Sequence, residues 1–393
     1  MTNKKQWRLS ASFISAFKAC AMRCHNKYVV GIRTVEDTES KRMGTNWHKI
    51  QEIYSMKPGA VCPECSKTQK QFNCVLCDGT DILPDDMMDA VLRHLNQAYA
   101  ECPQNKTLES WEAERIILLY SLVGYKWYYG EPDYIVVDRE LRFRIPLCSP
   151  TSGRALPHVV VDGCIDKIVK NADGDYCIWD HKSTGKSLDS DSTFWNHLAL
   201  DTQTTLYPHA AAQLDDKYHG IKVLYDAWHK PQIRPKKLTQ GESKKFVENG
   251  EYMGEKFEVT RDGEDVYAKV LVNGSVATME PGAKEGTFAI RETAEMFGAR
   301  LLKDITERPE FYFVRRDIPR TSDDIERFKR EIYNIYQTVR LMYKNNSWYR
   351  NEQQCEATFK CDYINLCYNN ITPKEGEEVE GFENIFNKKK ETE

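Results

Sequence analysis

Hydrophobic positions in this chain follow two periods, and the period switches along its length. In residues 8–29, Phe13, Ile14, Phe17 and Cys20 recur at helical spacing behind Ser10 or Ser12, either of which can cap a helix, so one helix is predicted. Residues 44–55 predict a second helix, with Trp47, Ile50 and Tyr54 as its apolar stripe and His48 beside the stripe. Helical periodicity continues in two pieces, 85–101 and 108–125, separated by Cys102-Pro103. The period then shortens to two. Residues 134–147 alternate as a strand pair, and residues 159–169 and 176–179 flank an Asp173-Gly174 turn whose glycine suits a tight hairpin. Residues 193–215 return to helix, with Pro208 as a kink point, before a strand at 221–228. Past a polar, glycine-rich stretch with short strands at 256–260 and 265–271 come a strand at 310–318 and an amphipathic helix over 323–344, striped by Ile325, Phe328, Ile332, Ile335 and Val339. Helices and strands interleaved in this way predict an α/β fold.

The hairpin gathers charge. If its strands pair, Asp166 and Asp180 converge, and Lys182, two residues past Asp180, points to the same side. Two carboxylates can hold a hard divalent cation such as Mg²⁺ that keeps several waters, and a lysine beside them can orient or activate one of those waters. Taken alone, the same residues also read as ordinary charges on a surface hairpin. Asp162 shares the face of Asp166 by parity, and spacing does not separate the two.

Composition sets the compartment. The chain of 393 residues is 41% hydrophobic and 29% charged, with no apolar run long enough for a membrane span and no apolar signal core near its start, so a cytoplasmic protein is expected. Its 13 cysteines are then better metal ligands than disulfide partners. Cys62, Cys65, Cys74 and Cys77 form C-x2-C-x8-C-x2-C, the spacing of two knuckles closing a tetrahedral zinc site; four protein ligands leave no open position, so this zinc is structural. Cys20 and Cys24, four apart, share a helix face. Cys355, Cys361 and Cys367 recur at intervals of six and need a fourth ligand. A formal net charge of −4 neither demands nor excludes nucleic acid, and the acidic then lysine-rich residues 371–393 are expected to be disordered.

Four motifs in order carry a resemblance: His48 on a helix, Gly163-Cys164-Ile165-Asp166 and Asp180-His181-Lys182 on strands, and Gln203-Thr204-Thr205-Leu206-Tyr207 on a helix. Together they resemble the PD-(D/E)XK nuclease superfamily, in its RecB-like branch of CRISPR-adaptation and phage exonucleases. The resemblance covers roughly residues 8–230 and 310–370. It implies a restriction-endonuclease-like core, a mixed central sheet flanked by helices, with a zinc-ribbon-like lobe inserted. The parts are N-terminal helices over 1–57, the zinc insertion over 58–84, the nuclease core over 85–232, an insertion of unknown role over 233–285, and a C-terminal part over 286–370.

What it implies for the chemistry is hydrolysis of DNA phosphodiesters with Mg²⁺ or Mn²⁺. Asp166, Asp180, the backbone carbonyl of His181 and His48 would hold the ion, while Lys182 would position and deprotonate water. Gln203 and Tyr207 would orient Lys182 or contact the substrate backbone, and the His181 ring would be a packed neighbour. The G-x-I-D pattern selects Asp166 and leaves Asp162 a supporting acid. The branch also suggests a 4Fe-4S cluster on Cys20, Cys355, Cys361 and Cys367, although related chains often space the last three C-x2-C-x5-C; Cys24 is the substitute ligand and a second zinc site the alternative. The expected activity is an exonuclease on DNA that is single-stranded or has free ends, in phage-like replication, recombination or repair in bacterial or phage-infected cytoplasm. Recombination or replication proteins would dock on the zinc lobe. A structure-specific endonuclease and a catalytically idle DNA-binding scaffold remain as alternatives.

Overall fold

The computed structural model describes residues 6–35, 38–66, 73–130, 134–262, 269–282, 284, 287–357 and 360–387. Its centre is a six-stranded mixed sheet. The elements that build the central layers are, in chain order, β1 (Trp7–Leu9), α1 (Ala11–Ala19), α2 (Glu39–Tyr54), α3 (Met87–Ala98), α4 (Leu108–Tyr129), β2 (Ile135–Cys148), β3 (Ala155–Lys170), β4 (Tyr176–Thr184), α5 (Thr202–Leu214), β5 (Lys222–His229), α6 (Ala294–Glu307), β6 (Phe313–Ile318) and α7 (Ser322–Asn345). The long β3 has β2 antiparallel along one edge; its other edge is shared by β1, parallel at 159–161, and β4, antiparallel at 167–170. Beyond β4 lie β5, parallel, and β6, antiparallel.

Apolar residues alternate to both faces, which is why helices cover both. One layer packs Phe13 and Phe17 of α1, Leu206 and Ala210 of α5, and Phe328, Ile332 and Val339 of α7 against Ile165, Ile178 and Val223. The other packs Trp47 and Ile50 of α2, Val91 of α3, Ile117 of α4 and Leu301 of α6 against Trp228 and Phe313. Trp47 stacks on Trp228 with centroids 4.1 Å apart, a contact of about 1 kcal/mol beyond the area buried, and so fixes α2 over the sheet. Gly44 lets the same helix approach β4: a Cβ there would lie 3.2 Å from the Ser183 hydroxyl oxygen.

Several elements differ from expectation. Residues 8–29 are not one helix: Cys20 is extended, at φ −163° and ψ 122°, and separates α1 from helical turns at Ala21–Cys24 and His25–Val30. The C-terminal segment drives the break, with Met22 N–H donating to the Tyr349 carbonyl and Asn351 N–H to the Cys20 sulfur. Cys20 is consequently half-exposed while Cys24 is fully buried, so the two do not share a face. Residues 134–147 form a single strand whose partner is β3, and the expected strand at 310–318 begins as a helical turn, Pro309–Tyr312. Residues 371–387 are folded, correcting the expected disorder: Phe382–Asn384 pairs with Ile32–Thr34, and Phe382 stacks on Tyr363 at 5.6 Å. The few apolar residues of this acidic segment are spaced to seat it, and residues 388–393 lie outside the described residues.

Across 233–285 the chain forms a helix, Gln240–Asn249, and a three-stranded sheet of Val259–Asp262, Lys269–Val272 and Ser275–Val276 over its own core of Leu238, Phe246, Val270 and Val272; residues 263–268, which include the first four positions of the second expected strand, lie outside the described residues. Among the described residues no helix is long and apolar enough to cross a membrane.

Candidate active site and metal centres

The site arises where the hairpin opens. β3 and β4 pair from Lys170 and Tyr176 as far as Lys167 and Trp179, and then part. Asp166 and Asp180 are the first residues beyond this fork. β4 runs on alongside β5, so Asp180 and Lys182 stay held by a ladder on one side while their side chains face α5.

Helix α5 closes the fork. Asp201 caps it, accepting from Thr204 N–H at 2.9 Å, and this sets Gln203 in the first turn above the carboxylates. Gln203 Nε2 donates to Asp180 Oδ1 at 2.8 Å, its Oε1 accepts from Lys182 Nζ at 3.1 Å, and Lys182 Nζ lies 2.9 Å from Asp180 Oδ2. The three side chains thus form a closed ring. One turn on, Tyr207 is buried edge-on to Phe143, with centroids 5.9 Å apart. Across the fork, α2 brings His48 Nδ1 to 3.2 Å from Asp166 Oδ2.

Electrostatics at the fork are opposed. Burial, with Asp166 beside it, pushes the Asp180 carboxyl up to about 6 despite Lys182. For Asp166 burial acts the same way, but the hydrogen bond and charge of His48 outweigh it and hold the group below the ordinary range. Burial disfavours the Lys182 ammonium, yet Asp180 and Asp166 outweigh burial and keep it protonated. Lys182 is therefore a cationic donor in this arrangement; it could serve as a base only once another cation shares the carboxylate charge. Burial and the same two carboxylates push the Tyr207 phenol up, so it stays neutral.

Oδ2 of Asp166 and Oδ2 of Asp180 are both buried and accept no well-directed hydrogen bond. Each nonetheless lies within ion-pair distance of a cationic partner, His48 Nδ1 at 3.2 Å and Lys182 Nζ at 2.9 Å, and a donor set of two buried carboxylates and the imidazole of His48 suits a hard divalent cation. His181 turns its ring to the other face of β4, 3.3 Å from Asp226 Oδ2. Asp162 lies outside the fork, bound to Arg8 of β1. Gly163 has a packing reason: a Cβ there would lie 2.6 Å from Phe143 Cζ.

Behind the fork lies a cluster that the motif search passed over. Asp226 of β5, 2% exposed, accepts from Trp179 Nε1 at 3.0 Å and from the Tyr125 hydroxyl, with Arg315 Nε 3.7 Å away. Arg315 stacks on Tyr129, 3.5 Å from the ring centroid, and Lys167 lies over Trp179 at 4.8 Å. A single acid inside the apolar run 221–228 was the available signal.

The paired cysteines meet. Cys62 and Cys74 sulfurs lie 3.7 Å apart and those of Cys65 and Cys77 3.5 Å apart, close to the ~3.8 Å edge of a tetrahedron with ~2.3 Å metal–sulfur bonds. All four ligand atoms fall within 4.8 Å of one another, so this cluster can hold one metal. Arg93 of α3 donates to the carbonyls of Val75 and Leu76, both at 2.9 Å, tying the lobe to the helical layer; residues 67–72 lie outside the described residues. The other cysteines approach more loosely. Burial and the neighbouring thiols of Cys20, Cys361 and Cys355 push the Cys367 thiol up, whereas Cys24 faces the core and donates to the Phe13 carbonyl at 3.8 Å.

A forked β-hairpin with a lysine two residues past its second acid, closed over by a helix-borne amide, is the architecture of a nuclease core. Comparison with known families agrees: the chain belongs to the PD-(D/E)XK nuclease superfamily, whose family model matches residues 8–368. No curated protein matches the chain.

Proposed function

We propose that the chain is a divalent-metal-dependent DNA exonuclease of the RecB-like branch, acting on strands that are single or have free ends. The observation that carries this reading is the convergence of two buried carboxylates, Asp166 and Asp180, where the hairpin opens beside a protonated Lys182. Asp166, Asp180 and His48 would hold Mg²⁺ or Mn²⁺, with the His181 carbonyl as a further ligand. When bound, the ion supplies Lewis-acid stabilisation of the phosphoryl oxygens and a more acidic water. Lys182 orients that water and faces the developing negative charge, a role its ammonium suits. Gln203 holds Lys182 in place and fixes Asp180 through its amide. Tyr207, neutral and buried, packs the floor against Phe143.

The remaining metals are structural in this reading. Cys62, Cys65, Cys74 and Cys77 hold zinc, supported by their tetrahedral spacing. Cys20, Cys355, Cys361 and Cys367 hold a 4Fe-4S cluster joining the two ends of the core, supported by the C-terminal segment bonded to Cys20 and by the influence of Cys20, Cys361 and Cys355 on the Cys367 thiol. Elemental analysis of anaerobically purified protein should return about four irons and about one zinc per chain; two zincs without iron would refute the cluster.

Activity is tested with end-labelled linear and covalently closed single-stranded DNA in Mn²⁺. Linear strands should be degraded and circles spared, and Asp180→Ala should be inactive. Circles cut as fast as linear strands would replace the exonuclease by an endonuclease, and an active Asp180→Ala would remove the site assignment.

A further inference from the structure

An open groove of about 1150 Å³ runs from the N-terminal segment along β1 and β3 and reaches Gly163 and Cys164. Its charge is unlike that of the chain. Six cations and three carboxylates line it, an excess of three positive charges in a protein of formal charge −4. One of the carboxylates, Asp162, is already neutralised by Arg8. Five cations remain: Arg142 and Arg144, on alternate residues of β2 and so on one face of it, and Lys27, Arg33 and Lys41 from the N-terminal segment. Among the described residues none of these five forms an ion pair, and all but the half-buried Lys27 are exposed. Unneutralised cations gathered from two separate parts of the chain raise the local potential and favour an extended anion.

We infer that this groove is the track for the phosphate backbone of a single nucleic-acid strand whose reactive end lies at the fork. The inference rests on the proposed nuclease reading and adds to it where the substrate lies. Cys164 is two residues from Asp166 along an extended strand, about 7 Å, or about two nucleotide steps at the ~3.4 Å rise of a stacked strand. Tyr28 and Phe386, half-buried rings in the same lining, offer faces on which bases can stack.

Binding is measured without turnover, with no added Mg²⁺ or Mn²⁺, by fluorescence anisotropy of a labelled 20-mer single strand from 50 to 200 mM salt. The parent is compared with a Lys41→Ala/Arg142→Ala/Arg144→Ala variant and with a control, Lys244→Ala/Lys245→Ala, on the exposed face of the inserted domain. Loss of three phosphate contacts should lower the slope of log K against log salt by about 2, and weaken binding at low salt at least tenfold, leaving the control unchanged. With Mn²⁺ the triple variant should show a raised KM for the strand, with kcat and the hydrolysis of bis(p-nitrophenyl) phosphate as in the parent. An unchanged salt slope would overturn the groove and leave the nuclease reading standing. A parent that binds with the expected slope but hydrolyses neither substrate would do the reverse. Equal losses for single strand and blunt duplex would overturn the single-strand assignment.

Discussion

Replacing Asp226 by asparagine tests whether the polar cluster behind the fork anchors the catalytic strand. Asp226 is fully desolvated, and burial works against its charge. His181, Arg315 and Tyr125 nevertheless hold its carboxyl down to about 2. Against an unfolded value of about 3.9, a depression of roughly two units corresponds to about 2–3 kcal/mol of stability at neutral pH. The neutral amide would also strand a cation. Arg315 Nε already lacks a well-directed acceptor, and burial has pushed Lys167 down to about 7, so the variant leaves Arg315 charged and unpaired while Lys167 sheds its proton. Removing one member of a buried pair costs about 3–5 kcal/mol in all. At roughly 2 °C per kcal/mol for a chain of this size, the melting temperature should fall by roughly 5–10 °C. The assay is urea unfolding of parent and variant at pH 7 and pH 3, followed by tryptophan emission and circular dichroism. A depressed carboxylate contributes above its unfolded pKa and loses that contribution as pH falls toward 2, so the gap between the proteins should be full at pH 7 and clearly smaller at pH 3. A gap under 1 kcal/mol at pH 7, or an equal gap at both, would refute the reasoning.

At the fork the sign reverses. Because burial and Asp166 raise Asp180 to about 6, its protonated form stabilises the metal-free protein below about pH 4, and that contribution is lost as pH rises through 6. Mn²⁺ should therefore raise the melting temperature strongly at pH 7.5 and little at pH 5, and Asp180→Asn should flatten this difference; a variant that keeps the parent's pH dependence of the Mn²⁺ effect would contradict it. Gly163→Ala drives a methyl into the Phe143 ring and should cost about 1–3 kcal/mol by overpacking, with Phe143→Leu restoring part of it; a neutral Gly163→Ala would show that the contact relaxes freely. Cys65→Ser should release the bound metal and loosen the lobe, read as loss of zinc by elemental analysis and faster proteolysis within residues 58–84, and retention of one zinc would disprove the assignment.

The parts of the molecule legible in sequence are those where a local rule coincides with a tertiary requirement. The Asp-Gly turn places Gly174 at φ +91°, and the period-two run on either side becomes β3 and β4. The helices over 44–55 and 323–344 were legible from their apolar stripes, and α7 buries Phe328, Ile332, Ile335 and Val339; the stripes alone do not show the caps at Thr38 and Thr321, and α2 begins at Glu39, five residues before the expected start. Residues 8–29 misled because helical spacing survives through Cys20, while the break is imposed by backbone partners about 330 residues away at Tyr349 and Asn351. Residues 371–387 misled because composition counts apolar residues without their positions, and Phe382 needs only one buried ring, Tyr363, to be seated. Neither the Asp226 cluster nor the basic groove is local. Each assembles residues from segments more than a hundred positions apart, and no window along the chain contains them together.

Strand β4 joins these observations. Its even positions, Asp180 and Lys182, face α5 and sit where burial and the neighbouring Asp166 both disfavour the Asp180 charge, which is the state that a cation would relieve. Its odd positions, Trp179 and His181, face Asp226, where the acid is held by donors and an arginine and is fully ionised. Period-two alternation lets one strand serve both ends: the Asp226 cluster helps hold the backbone in register with β5 from residue 177 to 184, and that ladder fixes the spacing of Asp180 and Lys182 on the opposite face. A change at Asp226 should therefore reach the fork through the backbone of His181, the residue that separates Asp180 from Lys182.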